Sequence, residues 1–155
     1  MNIVLLEPEI PPNTGNVARL CAATRSTLHL IEPFGFKLDD AQLKRAGMDY
    51  WQQVAWQRWK NWGAFAGKLP AGARLWFVES NGPRLYSAVK FSPGDYLVFG
   101  RETAGLPGQL LGQHRETWLR IPMFNAESRS LNLSNCVALV LFEALRQQGF
   151  AGEIQ

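Results

Sequence analysis

The fold is first indicated by residues 2–25, which read NIVLLEPEIPPNTGNVARLCAATR. A short apolar run, Asn2–Leu6, is followed by a proline-rich loop, and beyond the loop the apolar residues recur at helical spacing. Asn13 and Thr14 are both suitable helix caps, so the pattern predicts a strand, a loop and a helix that ends near Arg25. A buried strand followed at once by a helix is the repeating unit of an α/β domain.

The same alternation continues along the chain. Four more apolar runs between turn residues have the length of buried strands: Leu28–Ile31, Arg74–Val78, Tyr96–Gly100 and Trp118–Ile121. Helix signals run from Asp39 to Gly47, from Asn61 to Lys68, and from Asn132 or Ser134 to Gln148. The sequence therefore predicts an α/β fold with a mostly parallel sheet, helices on both faces, and functional sites at the carboxyl ends of the strands.

Length and composition limit the class of protein. A chain of 155 residues with 46% hydrophobic and 19% charged residues suits one globular domain over residues 1–155. The net charge of +3 is compatible with a polyanionic partner, but it is too small to indicate indiscriminate nucleic-acid binding. No signal peptide or membrane span is evident, and Cys21 and Cys136 fall in helical patterns, so we expect free thiols and a cytoplasmic location.

The last predicted helix is apolar almost all round. Its apolar residues are Leu133, Cys136, Val137, Leu139, Val140, Leu141, Phe142, Ala144 and Leu145. A helix of this kind is buried on more than one side, and a small domain has difficulty covering it alone. We expect part of it to pack against a second copy in a homodimer; the alternative is that it crosses the core of the monomer.

Three segments contain residues suited to a binding site, and the first is the loop and helix start at residues 7–19. Arg19 lies about 200° round the helix from the buried Val17, so it points away from the core. An arginine there could hold a phosphate or a ribose, or it could be an ordinary surface charge. Asn13 could serve the site or only cap the helix.

The second segment is residues 96–107, where an apolar strand runs into Gly100 and Gly105. Two glycines allow a ligand to lie against the main chain. Their spacing matches neither the dinucleotide-binding pattern nor a triphosphate-binding loop. Taken alone, this segment is only a glycine turn after a strand.

The third segment is residues 121–135, where a strand stops at Pro122 and a polar loop leads into the last helix. Five serines and asparagines fall within eight residues: Ser128, Ser130, Asn132, Ser134 and Asn135. A helix cap needs only one of them, so the surplus favours a site for a polar ligand.

Other chemistries have little support. His29 lies in a predicted strand and His114 in a loop, and neither has a nucleophile or a metal-ligand cluster near it in sequence, so we predict no metal site. An unusual group of aromatic residues comprises Trp51, Trp56, Trp59 and Trp62. These residues could stack on nucleic-acid bases, but core or interface packing is the favoured interpretation.

Taken together, the three segments resemble the signature regions of the SPOUT methyltransferases, and within them the small tRNA (cytidine/uridine-34)-2′-O-methyltransferase group. The resemblance rests on EPEIPPNTGN at 7–16 with Arg19, on FGxETxGLP at 99–107, where x is any residue, and on IPM at 121–123 with SRSLNLSN at 128–135. It covers nearly the whole chain, and three long motifs in the same order and spacing are highly specific.

The resemblance implies a deep trefoil knot at the carboxyl end, a homodimer, and S-adenosylmethionine as the cofactor. The residues implied to bind the cofactor are Val78, Gly100, Glu102, Ile121, Ser130 and Leu133. Those implied in catalysis are Arg19, Ser130 and Asn132, and those implied in tRNA binding are Asn13, Arg19 and Arg129. The implied reaction is methylation of the ribose 2′-hydroxyl of the wobble nucleotide 34 of tRNA, a cytidine or a 5-modified uridine.

Two points stay open at this stage. A guanidinium is effectively always protonated, so we hypothesise that Arg19 grips a phosphate beside the target ribose and stabilises the developing alkoxide rather than acting as a base. The alternatives to wobble methylation are the same chemistry at another tRNA or rRNA position, or a non-catalytic RNA-binding SPOUT protein.

Overall fold

The computed structural model describes residues 1–37, 51–125, 127–128 and 130–154. Its strands are β1 (Asn2–Leu6), β2 (Thr27–Ile31), β3 (Trp56–Trp59), β4 (Leu75–Val78), β5 (Arg84–Leu85), β6 (Tyr96–Phe99) and β7 (Trp118–Arg120). Its α-helices are α1 (Pro11–Thr24), α2 (Trp62–Ala66), α3 (Gly108–Gln113) and α4 (Leu133–Gln147). The helix predicted over Asp39–Gly47 lies outside the described residues.

All the strands belong to one sheet in the order β3-β2-β1-β6-β4-β7-β5, and the pairings between neighbouring strands are parallel. The predicted α/β fold with a mostly parallel sheet is therefore confirmed. Two strands were not predicted from the sequence, β3 and the two-residue β5. The trefoil knot stays a prediction from the resemblance.

Helices cover both faces of the sheet, as predicted. On β1, Ile3 and Leu5 point into a core cluster that includes residues of α1 and α4, whereas Val4 and Leu6 point into a second cluster with residues of α2 and α3. This alternation is the period-two pattern of a strand buried on both faces. Helices α1 and α4 also pack against each other.

Helix α1 begins earlier than predicted. It starts at Pro11 with Ile10 in the cap position and no side-chain cap, so the prediction that Asn13 or Thr14 caps the helix is wrong. Proline suits the first turn because its fixed φ is already helical and its missing N–H has no partner to lose there. Since the prolines begin the helix, Asn13 is available for other contacts. The caps predicted at Asn61 and Asn132 are confirmed.

The tryptophan cluster packs within the protein. The Trp51 and Trp56 rings lie 4.4 Å apart, and the rings of Trp59 and Trp62 lie within 6 Å of the buried Phe65 ring. All four tryptophans are partly buried. These contacts favour the packing interpretation over base stacking.

His29 is also structural. It is buried among these rings, and its ring nitrogens are within hydrogen-bonding distance of Asn2 Oδ1 and Trp59 Nε1. Burial lowers the pKa of His29 to about 4, so the ring is neutral at physiological pH.

None of the helices in the described residues is long and apolar enough to cross a membrane.

Candidate active site

An open cleft of about 670 Å³ lies at the carboxyl ends of β4, β6 and β7. The loops that leave these strands and the amino-terminal end of α4 form its walls. All six residues predicted to bind the cofactor line it: Val78, Gly100, Glu102, Ile121, Ser130 and Leu133. Asn13 and Asn132 line it too. The structure thus brings residues of all three predicted segments to one cleft, at the sheet edge where parallel α/β proteins bind ligands.

Glu102 joins the first two segments. Its carboxylate accepts hydrogen bonds from the backbone N–H groups of Glu9 at 2.8 Å and Ile10 at 3.2 Å, and from Asn13 Nδ2 at 3.1 Å. These donors hold the β1–α1 loop against the loop after β6. A carboxylate that already accepts three hydrogen bonds is suited to positioning a loop.

Asn132 joins the third segment to the first. Its Nδ2 donates to Asn13 Oδ1 at 2.8 Å, while its Oδ1 caps α4 by accepting from the Ser134 N–H at 2.8 Å. Glu102, Asn13, Asn132 and Ser134 therefore form one continuous chain of hydrogen bonds. We call these four residues the polar bridge. It links three segments that are far apart in sequence and lies along the wall of the cleft.

A second set of contacts reinforces this loop pairing at the surface. Thr103 donates to the Glu9 carboxylate through its N–H at 3.0 Å and through its hydroxyl. Arg101 forms an ion pair with Glu7. Three consecutive residues after β6 thus each bind the loop after β1, which makes the two loops one unit.

The two glycines of the second segment are needed for a close backbone contact. A Cβ on Gly100 would lie 2.2 Å from the Gly105 carbonyl carbon, and Gly105 has a φ of +66°. The backbones of Arg101 and Gly105 also exchange hydrogen bonds at 2.9 and 3.2 Å. Gly100 therefore allows the loop to fold back on itself. From the sequence, the two glycines were interpreted only as leaving room for a ligand beside the main chain.

Glu79 is a cleft residue that the sequence analysis missed. It follows Val78 at the end of β4, lines the cleft, and accepts a hydrogen bond from the Leu106 N–H at 2.9 Å. Cys136 also lines the cleft. Burial raises the pKa of its thiol to about 11, and the negative charge of Glu79 contributes a smaller part of this rise. The sequence did contain a signal for Glu79, because it directly follows a predicted strand and polar residues at the carboxyl ends of parallel strands reach the ligand site.

Arg19 is placed differently from the other predicted residues. It lies on the exposed face of α1, as predicted, and is not among the residues that line the cleft. It is six residues beyond Asn13, about 9 Å along the helix at 1.5 Å per residue. Within this chain the structure therefore does not bring Arg19 together with the residues that line the cleft. Arg129, predicted to bind tRNA, lies outside the described residues.

In the part of the chain that the structure describes, no group of three or more His, Cys, Asp or Glu side chains is arranged to bind a metal ion. His114 stacks on Phe77 at 4.4 Å, and burial lowers its pKa. Cys21 is buried in the core, where loss of hydration raises its pKa to about 12. These groups serve packing.

An α/β sheet with a polar cleft at its strand ends defines a class of ligand-binding domains, and comparison with known proteins narrows that class. Residues 1–142 match the model of the SpoU rRNA Methylase family, and the chain belongs to that family. A curated relative from Saccharophagus degradans, a tRNA (cytidine(34)-2′-O)-methyltransferase, is 53% identical over 154 residues, or 97% of each chain.

Solved structures agree with this assignment. One, described as giving structural insights into the 2-OH methylation of C/U34 on tRNA, superposes with a TM-score of 0.90 at 44% identity and covers 96% of each chain. Another, an AdoMet-bound rRNA methyltransferase from Sinorhizobium meliloti, has a TM-score of 0.81 at 25% identity. It covers 94% of this chain and 55% of that one.

Proposed function

We propose that this protein methylates the ribose 2′-hydroxyl of nucleotide 34 in tRNA, a cytidine or a 5-modified uridine, with S-adenosylmethionine as the methyl donor. The observation that carries the proposal is the polar bridge, which joins the three segments at one cleft in a member of this family. The relative from Saccharophagus degradans, named for this reaction, supports the choice of substrate at 53% identity over nearly the whole chain.

The cleft fits the cofactor in size and chemistry. A volume of about 670 Å³ lies within the range of small-molecule sites, and the lining combines apolar side chains with backbone and hydroxyl groups. Val78, Gly100, Ile121, Ser130 and Leu133 would hold the cofactor. When bound, it supplies a methyl group on a sulfonium. For Glu102 we propose an indirect part, because three donors from the protein already occupy its carboxylate.

The protein must orient the 2′-hydroxyl and help its proton to leave, because a neutral alcohol is a poor nucleophile. We assign Arg19 to the phosphate next to the target ribose and to stabilisation of the developing alkoxide, since a guanidinium keeps its charge. Asn132 has both ends of its amide engaged within the polar bridge, so its part is to position Asn13 and α4. The Ser130 hydroxyl, exposed in the cleft, is the third catalytic candidate.

A homodimer is the proposed active form. Leu139 and Phe142 on α4 are 42% and 47% exposed, whereas Val137, Val140 and Leu141 are fully buried on its other side. A second copy would cover this apolar face. Because α4 packs on α1, the partner would also lie near the helix that carries Arg19. A dimer would widen the surface offered to tRNA, to which we assign Arg19 and Arg129. Asn13, also predicted to bind tRNA, is buried and engaged within the polar bridge, so we propose that it positions the loop instead.

The proposal includes one domain over residues 1–155 and a cytoplasmic location, where tRNA and a reducing environment for two free cysteines are found.

The decisive experiment incubates the protein with methyl-labelled S-adenosylmethionine and total tRNA, and then maps the labelled nucleotide. Label on the ribose of nucleotide 34 supports the proposal, and label on a base or outside the anticodon contradicts it.

The alternative is ribose methylation of rRNA, which the description of the matching family favours. A parallel incubation with ribosomal subunits and deproteinised rRNA distinguishes the two. Incorporation into rRNA with none into tRNA would replace the proposed substrate. Failure to bind the cofactor would instead favour a non-catalytic RNA-binding protein.

A further inference from the structure

The Glu79 carboxylate is held rigidly in the wall of the cleft. Its Oε1 accepts from the N–H of Ser80 at 2.8 Å and from the Ser80 hydroxyl at 3.2 Å, and its Oε2 accepts from the Leu106 N–H at 2.9 Å. A Cβ on Gly105 would lie 2.1 Å from Oε2, so only glycine permits this approach. The carboxylate thereby connects the end of β4 to the loop after β6.

The charges around the cleft are unevenly balanced. Among the described residues that line it, the carboxylates are those of Glu79 and Glu102 and the only cation is Arg101. Arg101 is already paired with a third carboxylate, that of Glu7. The groups that hold Glu79 and Glu102 are neutral amides and a hydroxyl, which do not cancel a negative charge. The described residues that line the cleft therefore carry an excess of negative charge.

We propose that Glu79 makes the cleft discriminate between the two forms of the cofactor, favouring the sulfonium cation S-adenosylmethionine over its neutral thioether product S-adenosylhomocysteine. This inference rests on the proposed function. The two compounds differ by one methyl group and one positive charge, so packing alone separates them weakly. A fixed carboxylate acts on the charge difference directly, because Coulomb attraction in a partly enclosed site exceeds that in bulk water. The product then leaves more readily after transfer.

The test is calorimetric measurement of the Kd values of both compounds for the wild type, Glu79→Gln and Glu79→Asp. Glutamine keeps the size of the side chain and removes its charge, so the ratio of the product Kd to the cofactor Kd should fall about fivefold. Aspartate keeps the charge but is too short to reach Leu106. It should weaken both compounds alike and leave the ratio near the wild-type value.

Glu116→Gln is the matched control, because Glu116 is exposed and does not line the cleft. Its ratio should equal that of the wild type. An unchanged ratio in Glu79→Gln, or an equal fall in both Glu79 variants, would overturn the inference and leave Glu79 as a loop support only.

A second measurement needs no variant. In the wild type the ratio should decrease as the NaCl concentration is raised from about 20 to about 500 mM, since salt screens the attraction in this open cleft. A ratio that stays constant with salt contradicts the inference even if the Glu79 variants do not fold. Absence of binding by either compound to the wild type would instead contradict the proposed function.

Discussion

Asn132, the N-cap of α4, donates a hydrogen bond to Asn13 on α1 over 2.8 Å, across 119 residues of sequence. In both side chains the amide nitrogen and the amide oxygen each form a hydrogen bond, because Asn13 also donates to Glu102 and the oxygen of Asn132 also caps α4. The contact makes the amino-terminal loop and the last helix parts of one cleft wall. Its disruption should therefore affect function more than helix stability.

Asn132→Asp tests this contact. Aspartate keeps the oxygen that caps α4 but places a second oxygen against Asn13 Oδ1. We expect a loss of about 2 kcal/mol in the free energy of unfolding and at least a roughly tenfold loss of methyl transfer. Urea unfolding and label incorporation measure the two effects. Asn61→Asp is the control, because Asn61 also caps a helix, α2, through its Oδ1 and does not line the cleft. Equal losses of activity in both variants would contradict the role of the polar bridge.

Arg19→Lys tests the proposed role of the positive charge on the exposed face of α1. Lysine keeps the charge but loses bidentate geometry, so activity should fall yet stay measurable, whereas Arg19→Ala should abolish it. Cofactor affinity should not change in either variant, because Arg19 is not among the cleft-lining residues. Arg25→Lys, another exposed arginine, serves as the control. Complete loss in Arg19→Lys with cofactor and tRNA binding intact would require a more specific role for the guanidinium.

Gly100→Ala should disrupt the cleft from the backbone. The added Cβ would lie 2.2 Å from Gly105, so the loop must move, and we expect a loss of more than about 2 kcal/mol and of cofactor binding. Gly112→Ala is the matched control, since it lies in α3 with no atom within 4 Å of the added Cβ. There we expect a small gain from helix propensity. Thermal unfolding and calorimetry give both results, and a fully active Gly100→Ala would contradict the tight-turn interpretation.

Phe142→Glu tests the proposed dimer. A charge on the exposed apolar face of α4 should prevent a second copy from packing there, which sedimentation velocity detects as a monomer. We expect the variant to stay folded, because the side chain is 47% exposed, and to lose tRNA affinity. Ile154→Glu, whose side chain is 81% exposed beyond α4, is the control. A wild-type monomer at micromolar concentration would contradict the dimer directly.

The stability of the protein should depend on pH through His29. Burial lowers the pKa of His29 to about 4 from 6.5, so below pH 6.5 the unfolded state binds a proton that the folded state does not. The free energy of unfolding should therefore decrease as the pH falls from about 6.5 to 4, by about 3 kcal/mol from this group. His29→Asn should flatten that slope in urea titrations at several pH values. An equal slope in both proteins would show that other groups control the dependence.

The parts predicted correctly from the sequence are those with a strong local pattern. The continuous apolar runs of β1 and β6 allowed few alternatives to a buried strand, and the asparagine before each of α2 and α4 caps it. The three segments stand out in the amino-acid sequence alone, and each contributes residues that line the cleft.

The misses have identifiable causes. β3 contains Gln57 and Arg58 between tryptophans because it lies at the edge of the sheet, so it lacks the apolar run of a central strand. α3 is only six residues long and contains two glycines, which lower its propensity. Asn13 was interpreted partly as a helix cap because the pattern could not show that its amide reaches Glu102.

The sequence by itself determined the fold class, the strands and helices that have a strong apolar pattern, and which residue types are available for chemistry, because these depend on periodicity and local propensity. Only the tertiary structure decided which of those residues meet. The polar bridge, the clamp of Glu79 on Leu106 and the close approach of Gly100 to Gly105 depend on how the loops after β1, β4, β6 and β7 come together at one edge of the sheet. The orientation of each amide and carboxylate there is set by partners distant along the chain, and a local pattern does not contain them.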